Sequence, residues 1–161
     1  MATLPNPPSL VTRGPMKFLI FDSPSNSNCH LYVEVCKQHN VKDVVRVCEP
    51  TYDTTAMKEA GITVHDLEYQ DGTNPPDFVL SGWRTVVKDA KKKGTTVAVH
   101  CVAGLGRAPV MVCTSLIDSG MEPMLAVEHV RKQRRNAINA SQLKYLRNYK
   151  KASGGGDCVV M

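Results

Sequence analysis

One thiol and one guanidinium, Cys101 and Arg107, stand six positions apart in the stretch His100-Cys101-Val102-Ala103-Gly104-Leu105-Gly106-Arg107-Ala108-Pro109. An apolar run over residues 96–100 leads into it, and a helix that Pro109 is placed to start follows. A strand that breaks into a tight glycine-bearing loop and then a helix aims backbone N–H groups at one point, with the positive end of the helix dipole behind them. That point suits a phosphate. The backbone of Val102, Ala103, Gly104, Leu105 and Gly106 would cradle it, and Arg107 would close on two of its oxygens with its planar fork. The same donors favour the thiolate of Cys101, which makes it a nucleophile at neutral pH.

Competing readings of this stretch are weaker. Gly104-Leu105-Gly106 opens like a dinucleotide fingerprint, but Pro109 holds the third glycine slot, and no Gly-Lys-Ser/Thr follows to make a nucleotide loop. A lone Cys after a strand is usually a small buried hydrophobe; the full His-Cys-x5-Arg spacing argues against that here. A thiolate that attacks a phosphoester needs a proton for the departing oxygen, so a carboxylic acid on a neighbouring loop is expected. Asp66, Glu68, Asp71 and Asp77 are the choices. Asp77 reads as a helix cap and Asp66 as a strand end, whereas Asp71 lies beside Gly72 with freedom to swing in.

Around this stretch the chain alternates strands and helices. Strands are predicted over residues 17–21, 44–48, 62–65 and 96–100, from short apolar or β-branched runs. Helices are predicted to about residue 40 after a Ser/Asn cap near residue 23, then over 51–61, 78–93, 108–119 and 121–135, with a last helix capped by Ser141. Residues 1–14, rich in Pro and small polar groups, read as a flexible arm, and residues 152–161 as a flexible tail. The expectation is a single α/β domain over residues 15–151, a central mostly parallel sheet flanked by helices, with Cys101 at the carboxyl end of a strand where such sheets bind ligands.

Composition bounds the partners. The N-terminus shows no basic and apolar signal segment, and no apolar run nears the ~18 residues that span a bilayer. A cytosolic chain is expected, its six cysteines reduced. Without a Cys-x2-Cys pair no metal site is expected, and no cofactor is called for. Cys29, Cys36 and Cys113 read as packing residues. Charge gathers at the end: from residue 131 onward there are eight basic residues and one acid, so this segment carries +7 and the rest of the chain −2, for a net +5. The segment could meet nucleic acid, anionic lipid or an acidic protein. The last four residues, Cys158-Val159-Val160-Met161, fit a prenylation box that takes farnesyl. One lipid chain anchors only marginally, so nearby Lys150 and Lys151 are expected to add the second signal.

With Val47-Cys48-Glu49 and Thr51-Tyr52-Asp53-Thr54-Thr55 upstream and Ala108 directly after Arg107, residues 17–149 closely resemble the phosphatases of regenerating liver. These are the prenylated type IVA branch of the dual-specificity protein tyrosine phosphatases. The resemblance implies the protein tyrosine phosphatase fold, with Cys101 as a nucleophile that becomes phosphocysteine, Arg107 as phosphate clamp and Asp71 as general acid, later base. It also implies a reversible disulfide between Cys48 and Cys101, and a lipid on Cys158 that attaches the protein to the inner face of the plasma membrane or endosomes. Substrates implied are phosphoproteins or phosphoinositides; a second role is binding the CBS domains of magnesium transport mediators, and homo-oligomers are an option. Nucleic acid is not among the partners. The family usually carries Trp-Pro-Phe-Asp-Asp-Gly as its acid loop, where this chain has Leu67-Glu68-Tyr69-Gln70-Asp71-Gly72. Most of the wider class places Ser or Thr where Ala108 stands, which implies slow turnover. Sulfur transfer or arsenate reduction would use a similar Cys-x5-Arg loop and forms the remaining alternative.

Overall fold

The structure, a computed structural model, describes Leu4 and residues 6–152. In chain order the elements are β1 Ser9–Arg13, β2 Met16–Phe21, α1 Cys29–Gln38, β3 Val41–Arg46, α2 Thr55–Glu59, β4 Thr63–Asp66, α3 Asp77–Lys93, β5 Thr96–His100, α4 Arg107–Asp118, α5 Pro123–Gln133 and α6 Ala140–Arg147. The strands form one sheet in the order β1-β2-β5-β3-β4, parallel except for β1, which runs antiparallel on the edge against β2.

The strands carry apolar residues on both faces because helices cover both. Phe18, Ile20, Val45, Val97 and Val99 pack toward α3, α4, α5 and α6, while Leu19, Phe21, Val44 and Ala98 pack toward α1 and α2. Trp83 on α3 is fully buried, stacks on Phe18 with ring centroids 5.9 Å apart and donates its indole N–H to Ser115 Oγ at 2.7 Å. α4 is enclosed from Arg107 to Ile117, so the helix behind the Cys101 loop is anchored in the core along its length. Cys29, Cys36 and Cys113 are buried packing residues, and burial pushes the thiols of Cys36 and Cys113 up to about 12.

Several expectations are corrected. The arm of residues 1–14 is not loose throughout: Ser9–Arg13 is a strand whose Ser9 and Val11 point into the protein while Leu10 and Thr12 point out. The prolines at positions 5, 7 and 8 masked this two-residue period. Gly14, at φ +55, lets the chain turn back into β2. The strand expected over 44–48 lies at Val41–Arg46, and the helix expected over 51–61 shrinks to Thr55–Glu59. α4 begins at Arg107 itself, with Pro109 in its first turn, and Asp77 is the first residue of α3 rather than its cap. α6 is capped by Asn139, not Ser141. Asn139 Oδ1 accepts from the Gln142 N–H at 2.8 Å, and the Gln142 side chain accepts from the Asn139 N–H at 2.9 Å, a reciprocal capping box.

Candidate active site

Cys101 is the first residue beyond β5 and lies almost wholly buried at the floor of a cavity of about 390 Å³. Asp71, Arg107 and Gln142 line the same cavity. The loop from Cys101 to Arg107 is built with its carbonyls turned away from that space. Val102 O accepts from Ser23 N at 3.0 Å, Ala103 O and Gly104 O accept from the Arg134 guanidinium at 3.4 and 2.7 Å, and Leu105 O accepts from Ile138 N at 2.9 Å. Gly106 O accepts from Val110 N and Arg107 O from the Tyr69 hydroxyl. With the carbonyls tied outward, no N–H from Val102 to Arg107 donates to another group among the described residues. Such a ring of inward amides at a helix N-terminus binds an oxyanion. Gly104 is required there: its φ is +68, and a Cβ would meet the Arg134 guanidinium at 2.5 Å.

The Arg107 guanidinium is buried, with Nη1 donating to Tyr69 O at 2.9 Å. That contact fixes the fork while Nε lies 3.8 Å from the Asp71 carboxylate. Asp71 itself is 77% exposed on the turn before Gly72, so the carboxylate stands at the mouth of the cavity, free to approach a departing oxygen. The Cys101 thiol accepts from the Ala108 backbone N–H at 3.4 Å. The structure therefore brings together Cys101, Arg107, Asp71 and residues 102–106.

Cys48 is also close to this floor: it is fully buried just past β3, its Sγ 3.8 Å from His100 Nδ1. Burial first, and then the neighbouring Cys101, push its thiol up to about 11. The two cysteines are both reduced in this structure. Cys158 lies outside the described residues.

Three supports were not read from the sequence. Arg134 belongs to the basic segment expected to meet an outside partner, yet it is buried, paired with Asp22 at 2.7 Å, and ties the Cys101 loop to the ends of β1 and β2 through Ser9 Oγ and Ile20 O. Ile138 holds a φ of +72, costly for a β-branched residue, and spends that conformation on its bond to Leu105 O. The third is a relay behind Cys101. Asp66 binds Arg46 through two contacts of 2.6 and 2.9 Å, Arg46 stacks over the Tyr52 ring, the Tyr52 hydroxyl donates to His100 Nε2 at 2.9 Å, and His100 Nδ1 donates to Cys101 O at 3.3 Å.

That pairing fixes His100 as a neutral imidazole. Burial lowers its proton affinity from the ordinary 6.5 to about 4. A group whose folded value lies below its unfolded one supports the fold fully above pH 6.5, and this support is lost as the pH falls toward 4. Its size is about 3 kcal/mol. His100→Gln is therefore expected to flatten the loss of stability between pH 6.5 and 4, measured by denaturant unfolding of both proteins across that range; parallel curves would contradict it.

A buried thiol centred beneath inward amides, a guanidinium fixed behind it and a carboxylate at the mouth define a cysteine-dependent phosphatase on a dual-specificity scaffold. The dual specificity phosphatase catalytic domain family matches residues 25–152. The chain is 48% identical over 151 residues to a protein tyrosine phosphatase type IVA A of Dictyostelium discoideum, covering 92% of this chain and 91% of that one. It is 50% identical over 145 residues to the PRL-1 phosphatase of Drosophila melanogaster, covering 89% and 82%. A solved protein tyrosine phosphatase from Leishmania major superposes with a TM-score of 0.81 at 34% identity, covering 89% and 99% of the two chains. This chain belongs to the phosphatases of regenerating liver, protein tyrosine phosphatase type IVA.

Proposed function

We propose that the protein hydrolyses phosphoproteins through a covalent phosphocysteine. Cys101 Sγ attacks the phosphorus while the inward amides and Arg107 hold its non-bridging oxygens, and Asp71 protonates the departing oxygen. A water then attacks the phosphocysteine with Asp71 as base, and the thiolate leaves. The observation that carries this reading is the outward tethering of the loop carbonyls, which leaves a preformed anion cradle over the thiol.

The second half-reaction is slow in this reading. The leaving sulfur receives one donor from its neighbour, the Ala108 N–H, because Ala108 has no hydroxyl. A hydrogen bond to a charged group is worth about 1.5–3 kcal/mol, or roughly ten- to a hundred-fold in rate. Ala108→Ser is expected to raise steady-state turnover of an aryl phosphate by that factor and to abolish the pre-steady-state burst of the parent. Unchanged turnover, or no burst in the parent, would contradict it.

A long-lived phosphocysteine favours a second reading, in which the occupied site holds a CBS-domain magnesium transport mediator and catalysis is secondary. The cradle reads only the phosphoryl group, so the same chemistry extends to phosphoinositides wherever the headgroup can reach Cys101. Prenylation of Cys158 places the protein on the inner face of the plasma membrane or endosomes, assisted by Lys150 and Lys151.

Redox control completes the proposal. Oxidised Cys101, as the sulfenic acid, is captured by the Cys48 thiol, forming the disulfide and releasing water, which spares Cys101 from irreversible oxidation. Peroxide followed by dithiothreitol is expected to restore most activity in the parent and little in Cys48→Ser. Equal recovery would remove Cys48 from this role.

A further inference from the structure

Two of the basic residues near the chain's end are committed within the fold. Arg134 is buried and paired with Asp22, and Arg131 donates to Ala137 O and Ile138 O. A different basic face lies where the described chain ends. Ala152 N donates to Asp118 Oδ1 at 2.7 Å, which seats the end of the described chain beside a groove of about 430 Å³ between α3 and α4. Lys88, Lys91 and Lys92 of α3, all exposed, line this groove with Met16, Val87 and Arg84. Lys17 extends the face across the start of β2. The acids beside it are engaged: Asp118 binds Arg84, Tyr149 and Ala152, and Asp89 binds Lys93. The result is a lysine face with alkyl stems and apolar side chains between the charges.

Cys158 is six residues beyond Ala152, and six residues of chain reach at most about 20 Å. A lipid on Cys158 therefore confines the bilayer to the side of the molecule that bears the groove. We propose that the Lys88, Lys91 and Lys92 face docks on an anionic bilayer and turns the active site away from it. The docking step rests on the prenylation reading only for its strength, since the lysines attract anionic lipid without the anchor. The consequence for substrate follows from the sheet. The groove is lined by Ser115, Asp118 and Ser119 at the C-terminal end of α4, whereas Cys101 lies against the helix's N-terminus, so the 8 to 12 residues of helix between them separate the two by about 12–18 Å. A headgroup layer extends only about 5–8 Å beyond the hydrocarbon. A phosphoinositide in the same leaflet stays short of Cys101, and the docked enzyme works on phosphoproteins.

The test uses the farnesylated full chain and vesicles of phosphatidylcholine with and without phosphatidylserine, some also carrying a phosphatidylinositol monophosphate. Lys88→Gln/Lys91→Gln/Lys92→Gln is expected to weaken binding to phosphatidylserine vesicles by about a hundred-fold. The corresponding triple Arg variant, and Lys58→Gln on α2 across the sheet, are expected to bind like the parent. Docking is expected to leave turnover of a soluble aryl phosphate unchanged and to give no increase in hydrolysis of the embedded lipid. Binding of the triple Gln variant equal to the parent's, or embedded lipid hydrolysis that rises on docking, would overturn the proposal. Cys158→Ser separates the two readings: if it binds like the farnesylated parent while the lysine dependence persists, the prenylation reading fails and the lysine face stands.

Discussion

Cys101→Ser is expected to lower turnover of an aryl phosphate by about 10⁴-fold or more while leaving the fold intact. Oxygen and sulfur are close in size, and among the described residues the thiol takes part in one hydrogen bond, from the Ala108 N–H, so stability should change little. A serine hydroxyl at neutral pH, however, has neither the acidity nor the nucleophilicity of a cysteine thiolate, and no histidine stands ready to take its proton. His100 points its Nδ1 at Cys101 O and its Nε2 at Tyr52, behind the loop. Removal of a covalent nucleophile is costly even where the remaining site is intact. The variant should still bind inorganic phosphate or vanadate, because the amides of residues 102–106 and Arg107 are untouched. Steady-state kinetics and a melting curve together check this, and residual turnover within tenfold of the parent would contradict it.

Arg107→Lys is expected to lower kcat/KM by about 10²–10³-fold, the effect of losing one preorganised donor set at a developing anion. The charge is retained, so a purely Coulombic role would predict a small change. The structure argues otherwise: Arg107 is buried with one nitrogen committed to Tyr69 O, which sets the plane in which the rest of the fork meets the phosphate. Lysine cannot satisfy a carbonyl behind the loop and present two parallel donors in front of it. A pH-independent loss in both kcat and kcat/KM, with melting close to the parent, is the expected signature; near-parent kinetics would show that charge alone suffices.

The parts of this site that sequence reveals are those carried by local spacing. Six positions from Cys101 to Arg107, with glycines between, specify a loop whatever surrounds it, and a β-branched run before it specifies a buried strand. Asp71 was legible for the same reason, as the acid beside a glycine in a segment without strand or helix pattern. What stayed hidden depends on contacts over long sequence separations. Arg134 reaches the loop from 30 residues away, and its role is visible only once β1 is seen to pair with β2 and to bring Ser9 beside it. The strand β1 was itself obscured because prolines before it resemble a linker, and the short α2 looked longer because the run before it offers several cap-type residues, Thr51, Asp53 and Thr54, of which the structure uses Thr54. The Thr51–Thr55 run, read as a family signature, acquires a physical meaning in the fold: Tyr52 donates to Nε2 of His100, which burial keeps neutral behind the nucleophile.

The central claim, that phosphate passes through Cys101, is tested most directly by quenching the enzyme in acid during turnover of an aryl phosphate and locating the phosphoryl group by peptide mass spectrometry. One phosphoryl group on Cys101, accumulating in the burst and depleted in Ala108→Ser, is the expected result. A parent enzyme that turns over substrate without phosphoryl on Cys101, or with it on another residue, would contradict the account.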